Sequence, residues 1–74
     1  MENQHRKITG YRELSQDDID MIIVVKELGK TLGDTVADLR RREALDQRWV
    51  SIGATHLQEG LMALTRAIAK PDFF

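Results

Sequence analysis

Between residues 50 and 68 the chain places Val50, Ala54, Leu57, Leu61, Leu64 and Ile68 at an unbroken four-three-four-three-four spacing, and this stripe constrains the fold more than any other feature. Apolar residues at those steps share one face of an α-helix; a strand would scatter them over both of its faces. Beside the stripe, Gly53, Gly60 and Ala67 repeat every seven residues and predict a shallow groove for close helix approach. Asp46 is placed to cap the helix start, with Leu45 and Val50 at the two positions of a hydrophobic staple. Pro71 cannot donate the next backbone hydrogen bond and ends it. The expected helix covers residues 47–70, with a tail over 71–74.

A second capped segment lies upstream. Ser15 with Asp18 three residues later forms a variant capping box, and Leu14 and Ile19 stand at the staple positions around it. Met21, Val25, Leu28, Leu32 and Leu39 then follow mostly at steps of four and three, with Thr35 as the weak position between. Ile22, Ile23 and Val24 widen the apolar surface, so this helix, over residues 16–41, should meet more than one neighbour. Gly29 and Gly33 sit one turn apart inside it, each costing about 1 kcal/mol relative to alanine. Either they are tolerated weak spots, or their missing side chains admit another backbone or a flat ligand. The run Arg40-Arg41-Arg42 falls where the helix C-terminal dipole favours cations and where a solvated turn is expected. The chain reads as all-α: a non-helical arm over residues 1–14 leading into an antiparallel helical hairpin.

Such a hairpin is hard to stabilise alone. At 74 residues it is one domain, and a chain this short buries only ~60% of its unfolded surface. No cysteine staples it, and Trp49, Ile52, Met62, Phe73 and Phe74 add apolar surface that two helices cannot cover. A closed homo-oligomer is the expected remedy. The net charge of −1 and pI near 6.1 argue against a DNA or RNA polymer as partner. The longest apolar run, Met21 to Val25, is far short of the ~20 residues of a membrane span, and no signal peptide is visible, so a soluble intracellular protein is expected.

No hydrolytic or redox motif is present: cysteine is absent, the two histidines lie 51 positions apart, and no serine sits in a nucleophile elbow. An enzyme is not expected, nor a cofactor or metal. Asp17, Asp18 and Asp20 are explained by the helix N-terminal dipole. His56 and Glu59 give half of a carboxylate metal motif, without the other half. What remains is the leader, which holds a glycine, several cations and the single tyrosine. Tyr11 offers a flat face for a base, Arg6, Lys7 and Arg12 lie within a few residues of it, and the helix start supplies phosphate-directed N–H groups. Lys26 sits roughly two and a half turns beyond Asp17, so a pocket using both Tyr11 and Lys26 draws them from different subunits. Arg66 and Lys70, one turn apart, can add charge at that junction. By spacing alone, plain surface charge is the commoner meaning of such cations.

The leader His5-Arg6-Lys7-Ile8 with Gly10-Tyr11-Arg12-Glu13-Leu14-Ser15, and the closing Ile52-Gly53-Ala54-Thr55-His56-Leu57-Gln58 with Gly60, Met62-Ala63-Leu64 and Arg66-Ala67-Ile68-Ala69-Lys70-Pro71, resemble the phage anti-CBASS cyclic-oligonucleotide sponge family. The resemblance implies a helical hairpin assembled as a compact homohexamer in the cytoplasm of the infected bacterial host. It implies capture, without cleavage, of the cyclic nucleotide messengers of antiviral signalling. Cyclic dinucleotides would lie between paired protomers, Tyr11 stacking on a base and Lys26 meeting phosphate. A separate cyclic trinucleotide site would involve Gly10, Arg12 and Arg66. The residues alone leave a second reading open, a small structural or regulatory oligomer that binds a protein partner through its Val50 to Ile68 stripe. A DNA-binding regulator fits less well, since no helix carries clustered base-reading residues.

Overall fold

The structure, a computed structural model, describes residues 13–72, and the arm up to residue 12 and the last two residues lie outside the described residues. Two helices, α1 (Gln16–Arg40) and α2 (Gln47–Ala69), form the predicted hairpin. At the head of α1 the Asp18 N–H donates to Ser15 Oγ at 3.1 Å and the Ser15 N–H donates back to Asp18 Oδ2 at 3.0 Å, closing the capping box. Asp46 caps α2 by accepting from the N–H groups of Arg48 and Trp49 at 3.1 and 3.4 Å.

Both helices stop one residue before the expected end. Arg41 is the C-cap of α1, and Lys70 turns into the left-handed region at φ 47°, its N–H bonded to the Arg66 carbonyl at 2.8 Å. The cause at Lys70 is Pro71, whose ring disfavours a helical residue before it. The connection is closed by a side chain the sequence did not single out. Gln47 Nε2 donates to the carbonyls of Leu39 at 3.2 Å and Arg42 at 3.0 Å, adding a second donor to acceptors that already take the backbone N–H groups of Arg42 and Leu45.

The seam between the helices departs from the predicted stripe on α1. The half-buried residues are Ile22, Val25, Gly29, Leu32, Val36 and Leu39, while Met21 and Leu28 stay 41% and 47% exposed. Val36 therefore occupies the turn assigned to Thr35. The sequence carries apolar residues on adjacent columns here, and the column containing a glycine is the one that lets α2 come close. A Cβ built on Gly29 would lie 3.2 Å from Leu61 Cδ1. Gly33 has no such neighbour within 4 Å. On α2, Val50, Ala54, Leu61 and Ile68 are half-buried, but Leu57 and Leu64 are exposed. The predicted Gly53 and Gly60 groove is not used inside the hairpin, because a Cβ at either position would meet nothing within 4 Å. Among the described residues neither helix buries a single side chain.

Candidate functional site

Two contacts set the register. Gly29 stands opposite Leu61, and Arg40 Nη1 reaches Ser51 Oγ at 3.4 Å, so each step down α1 is a step up α2. With about 100° of rotation per residue, the side chains of each helix divide to the two flanks of this seam. One flank is basic. Lys26, Lys30, Gly33, Ala37 and Arg40 follow one another at steps of four, three, four and three along α1. Across the seam they meet the neutral polar side of α2, including Ser51, Gln58 and Thr65.

A cavity of about 300 Å³ opens on this flank, with Gly33, Ala37 and Ala54 among its floor and Arg40 and Gln58 at its rim. The acids Glu27, Asp34 and Asp38 of α1 and Glu59 of α2 point outward, well away from the seam by the same rotation. The result is a cavity with Arg40 at its rim, no carboxylate in its lining, and Leu32, Val36, Leu57 and Leu61 beside the small residues of its floor, while Lys26 and Lys30 stand farther along the same flank. Phosphate oxygens suit such cations, since charge-assisted hydrogen bonds are about twice as strong as neutral ones.

Of the site residues read from the sequence, Lys26 lies exposed on this basic flank, level with about Leu64 of α2 by the register. Arg66 is exposed at nearly the same level but farther round α2. Gly10, Tyr11 and Arg12 lie outside the described residues. Lys30 was not singled out in advance, and Arg40 was read only as part of the charge run at the end of α1. The signal was present in the seven-residue steps Lys26, Gly33, Arg40, which two intervening glycines had disguised as a weak stretch of helix.

The other arginines of the connection are already engaged. Arg42 Nε and Nη2 donate to Asp38 Oδ2 at 3.1 and 2.9 Å, and Arg41 Nη2 donates to Asp38 Oδ1 at 3.2 Å. The hydrogen bonds and charge of Arg42, helped by Arg41, hold the Asp38 carboxyl below the usual carboxylate range. His56 Nδ1 lies 3.5 Å from Glu59 Oε1 on the solvent side of α2. The acidic cluster at the head of α1 is spent locally: Asp18 closes the capping box, and Asp20 Oδ1 accepts from Gln16 Nε2 at 2.9 Å. No group of three or more metal-ligating side chains occurs among the described residues, and no described helix is long and apolar enough to cross a membrane.

The opposite flank is apolar. Met21, Val24, Leu28, Leu57, Leu64, Trp49 and Leu45 leave much of their surface exposed there, against Ile19, Ile23 and Met62 on the basic side. Two further cavities of about 390 and 400 Å³ indent it, the first beside Trp49 and Gly53, the second beside Leu28, Gly60 and Leu64.

Residues 3–69 of the chain match the family model described as Acb2/Tad1, hairpin domain. The chain is also 37% identical to Anti-CBASS protein 2 of Pseudomonas phage JBD67, over 97% of this chain and 98% of that protein.

Proposed function

The chain belongs to the Acb2/Tad1 hairpin family, and on that premise we propose that it is a phage anti-defence protein that takes up cyclic dinucleotide messengers of CBASS signalling and holds them uncleaved. The protein is not an enzyme. Its relative in phage JBD67 carries the name Anti-CBASS protein 2, and the two chains align along nearly their whole length. The site of action in this reading is the cytoplasm of the infected bacterium, where the messenger is made.

The observation that carries the reading is the basic flank: Lys26, Lys30 and Arg40 on one side of α1, with Arg40 lining an open cavity and no carboxylate in that lining. A sponge needs affinity for the ground state of its ligand and no stabilisation of a transition state. Two phosphates and two bases suit a pocket whose opposing walls are the same residues of two protomers. In this pocket Tyr11 stacks on a base and Lys26 bonds phosphate, the two contributed by different copies within a homohexamer. Gly10, Arg12 and Arg66 serve a second site, for cyclic trinucleotides.

Calorimetric titration with cyclic dinucleotides tests the proposal. The expected result is saturable heat at micromolar protein, with the nucleotide recovered unmodified after the complex is heated. Absence of heat or retention overturns the binding claim, and linear or hydrolysed product overturns capture without cleavage.

A further inference from the structure

The basic flank draws anions along its whole length, yet no single small ligand spans it. Lys26 and Arg40 are fourteen residues apart on α1, about 21 Å along the helix axis. The cavity of about 300 Å³ lies at the Arg40 end, and neither Lys26 nor Lys30 belongs to its lining. A cyclic dinucleotide is shorter than that separation, so one held through Lys26 leaves the cavity open. Arg40 differs from its neighbours in the charge run. Arg41 and Arg42 are both paired with Asp38, whereas Arg40, among the described residues, meets no carboxylate and bonds only the Ser51 hydroxyl, at 3.4 Å. A guanidinium has five N–H donors, so that one bond fixes its place and leaves most of its donors uncommitted.

The rest of the lining decides what that cation can receive. Apart from Arg40 and the Gln58 amide it is aliphatic or glycine, with Leu32, Val36, Leu57 and Leu61 as its larger members. Small-ligand pockets have this constitution, a mostly apolar concavity of about 300 Å³ or more with a few placed polar groups. One cation matches one anionic group. A ligand with two phosphates finds no second cation in this lining, and a neutral apolar one leaves the charge of Arg40 unmatched. A carboxylate pairs with a guanidinium through two parallel hydrogen bonds, so it fits the single arginine best. We infer that the cavity is a second ligand site, separate from the Lys26 pocket, that takes a small amphipathic monocarboxylate with its head on Arg40 and its aliphatic body along Val36 and Leu32 toward Leu61. Gly33 leaves room for that body, since a Cβ there would meet nothing within 4 Å. The site does not depend on cyclic nucleotide capture.

An NMR titration of the nitrogen-labelled full chain with octanoate, kept below its micelle concentration, tests the site. Saturable shifts are expected at the amides of Gly33, Ala37 and Gln58. Octanol, the same chain without the charge, should bind roughly tenfold or more weakly. Arg40→Gln should lower octanoate to the level of octanol, and Ala37→Leu should weaken both by filling the floor. Arg41→Gln, whose charge serves Asp38, should leave octanoate binding unchanged. The comparison of octanoate with octanol on the wild-type chain holds even if a variant fails to fold. Equal affinity for the two, no saturable shift in the folded wild type, or shifts confined to Gly53 and Gly60 on the opposite flank overturn the inference. So does displacement of octanoate by a cyclic dinucleotide, or retention on anionic phospholipid vesicles with no uptake of octanoate. A chain that takes octanoate as expected but no cyclic dinucleotide keeps this site and loses the sponge reading; the converse result does the reverse.

Discussion

Leu61 Cδ1 stands 3.2 Å from the point a Cβ on Gly29 would occupy, whereas the same atom on Gly33, one turn away, would meet nothing within 4 Å. The two glycines of α1 therefore do different things. Gly33→Ala should stabilise the hairpin by about 1 kcal/mol through helix propensity. Gly29→Ala gains the same propensity but pushes on Leu61, and its net effect should be near zero or destabilising. Thermal midpoints of the two variants, compared at one protein concentration, check the contrast. Equal gains from both would mean that Gly29 is no contact point.

Removing the cation nearest the expected phosphate should weaken capture more than removing its neighbours. A hydrogen bond to a charged group contributes about 1.5–3 kcal/mol, so Lys26→Ala should cost roughly ten- to a hundredfold in affinity. Lys30→Ala should cost less and flatten the salt dependence. Arg41→Ala should leave affinity unchanged, since that guanidinium already serves Asp38 at the turn. Tyr11→Ala should remove stacking of about 1–3 kcal/mol. Titrations at two salt concentrations separate these effects.

The Asp38 carboxyl is held below its ordinary value of 3.8 by Arg42 and Arg41, so its stabilising contribution is present above that value and is lost as pH falls through the lowered one. Asp38→Asn should thus lower the melting temperature slightly at pH 7, and the gap from wild type should close in acid below about pH 4. The carboxylate is exposed, so high salt should shrink the same gap. A difference that persists in strong acid would assign the effect to something other than the ion pair.

Lys70 holds a left-handed conformation at φ 47° immediately before proline. The strain of a side chain in that region is about 1–2 kcal/mol, and glycine does not suffer it. Lys70→Gly should therefore raise the melting temperature without shortening α2, a combination that denaturation followed by circular dichroism reads directly. A fall in stability would show that the lysine side chain contributes contacts outweighing its backbone strain.

The two helices were legible because each begins with a capping residue inside a staple, and local signals of that kind act before any tertiary contact forms. The phase of the α1 seam was not. Met21 and Ile22, Leu28 and Gly29, Thr35 and Val36 lie on adjacent columns, and at the middle pair hydrophobicity alone prefers Leu28 to the glycine that the seam uses. Close approach of α2 favours the glycine column, a choice that requires knowing where Leu61 falls. Gln47 was missed for a related reason: its amide matters only because the turn folds back far enough to bring Leu39 and Arg42 carbonyls within reach. Lys30 and Arg40 joined Lys26 only once the seam fixed which flank each faced.

A hairpin that buries none of its described side chains leaves its folding equilibrium open to mass action. Its melting point should then be a property of the solution as much as of the chain, rising with every dilution avoided. Below some threshold abundance the chain would be exposed to proteolysis, and above it protected, so the amount made sets the lifetime of each copy.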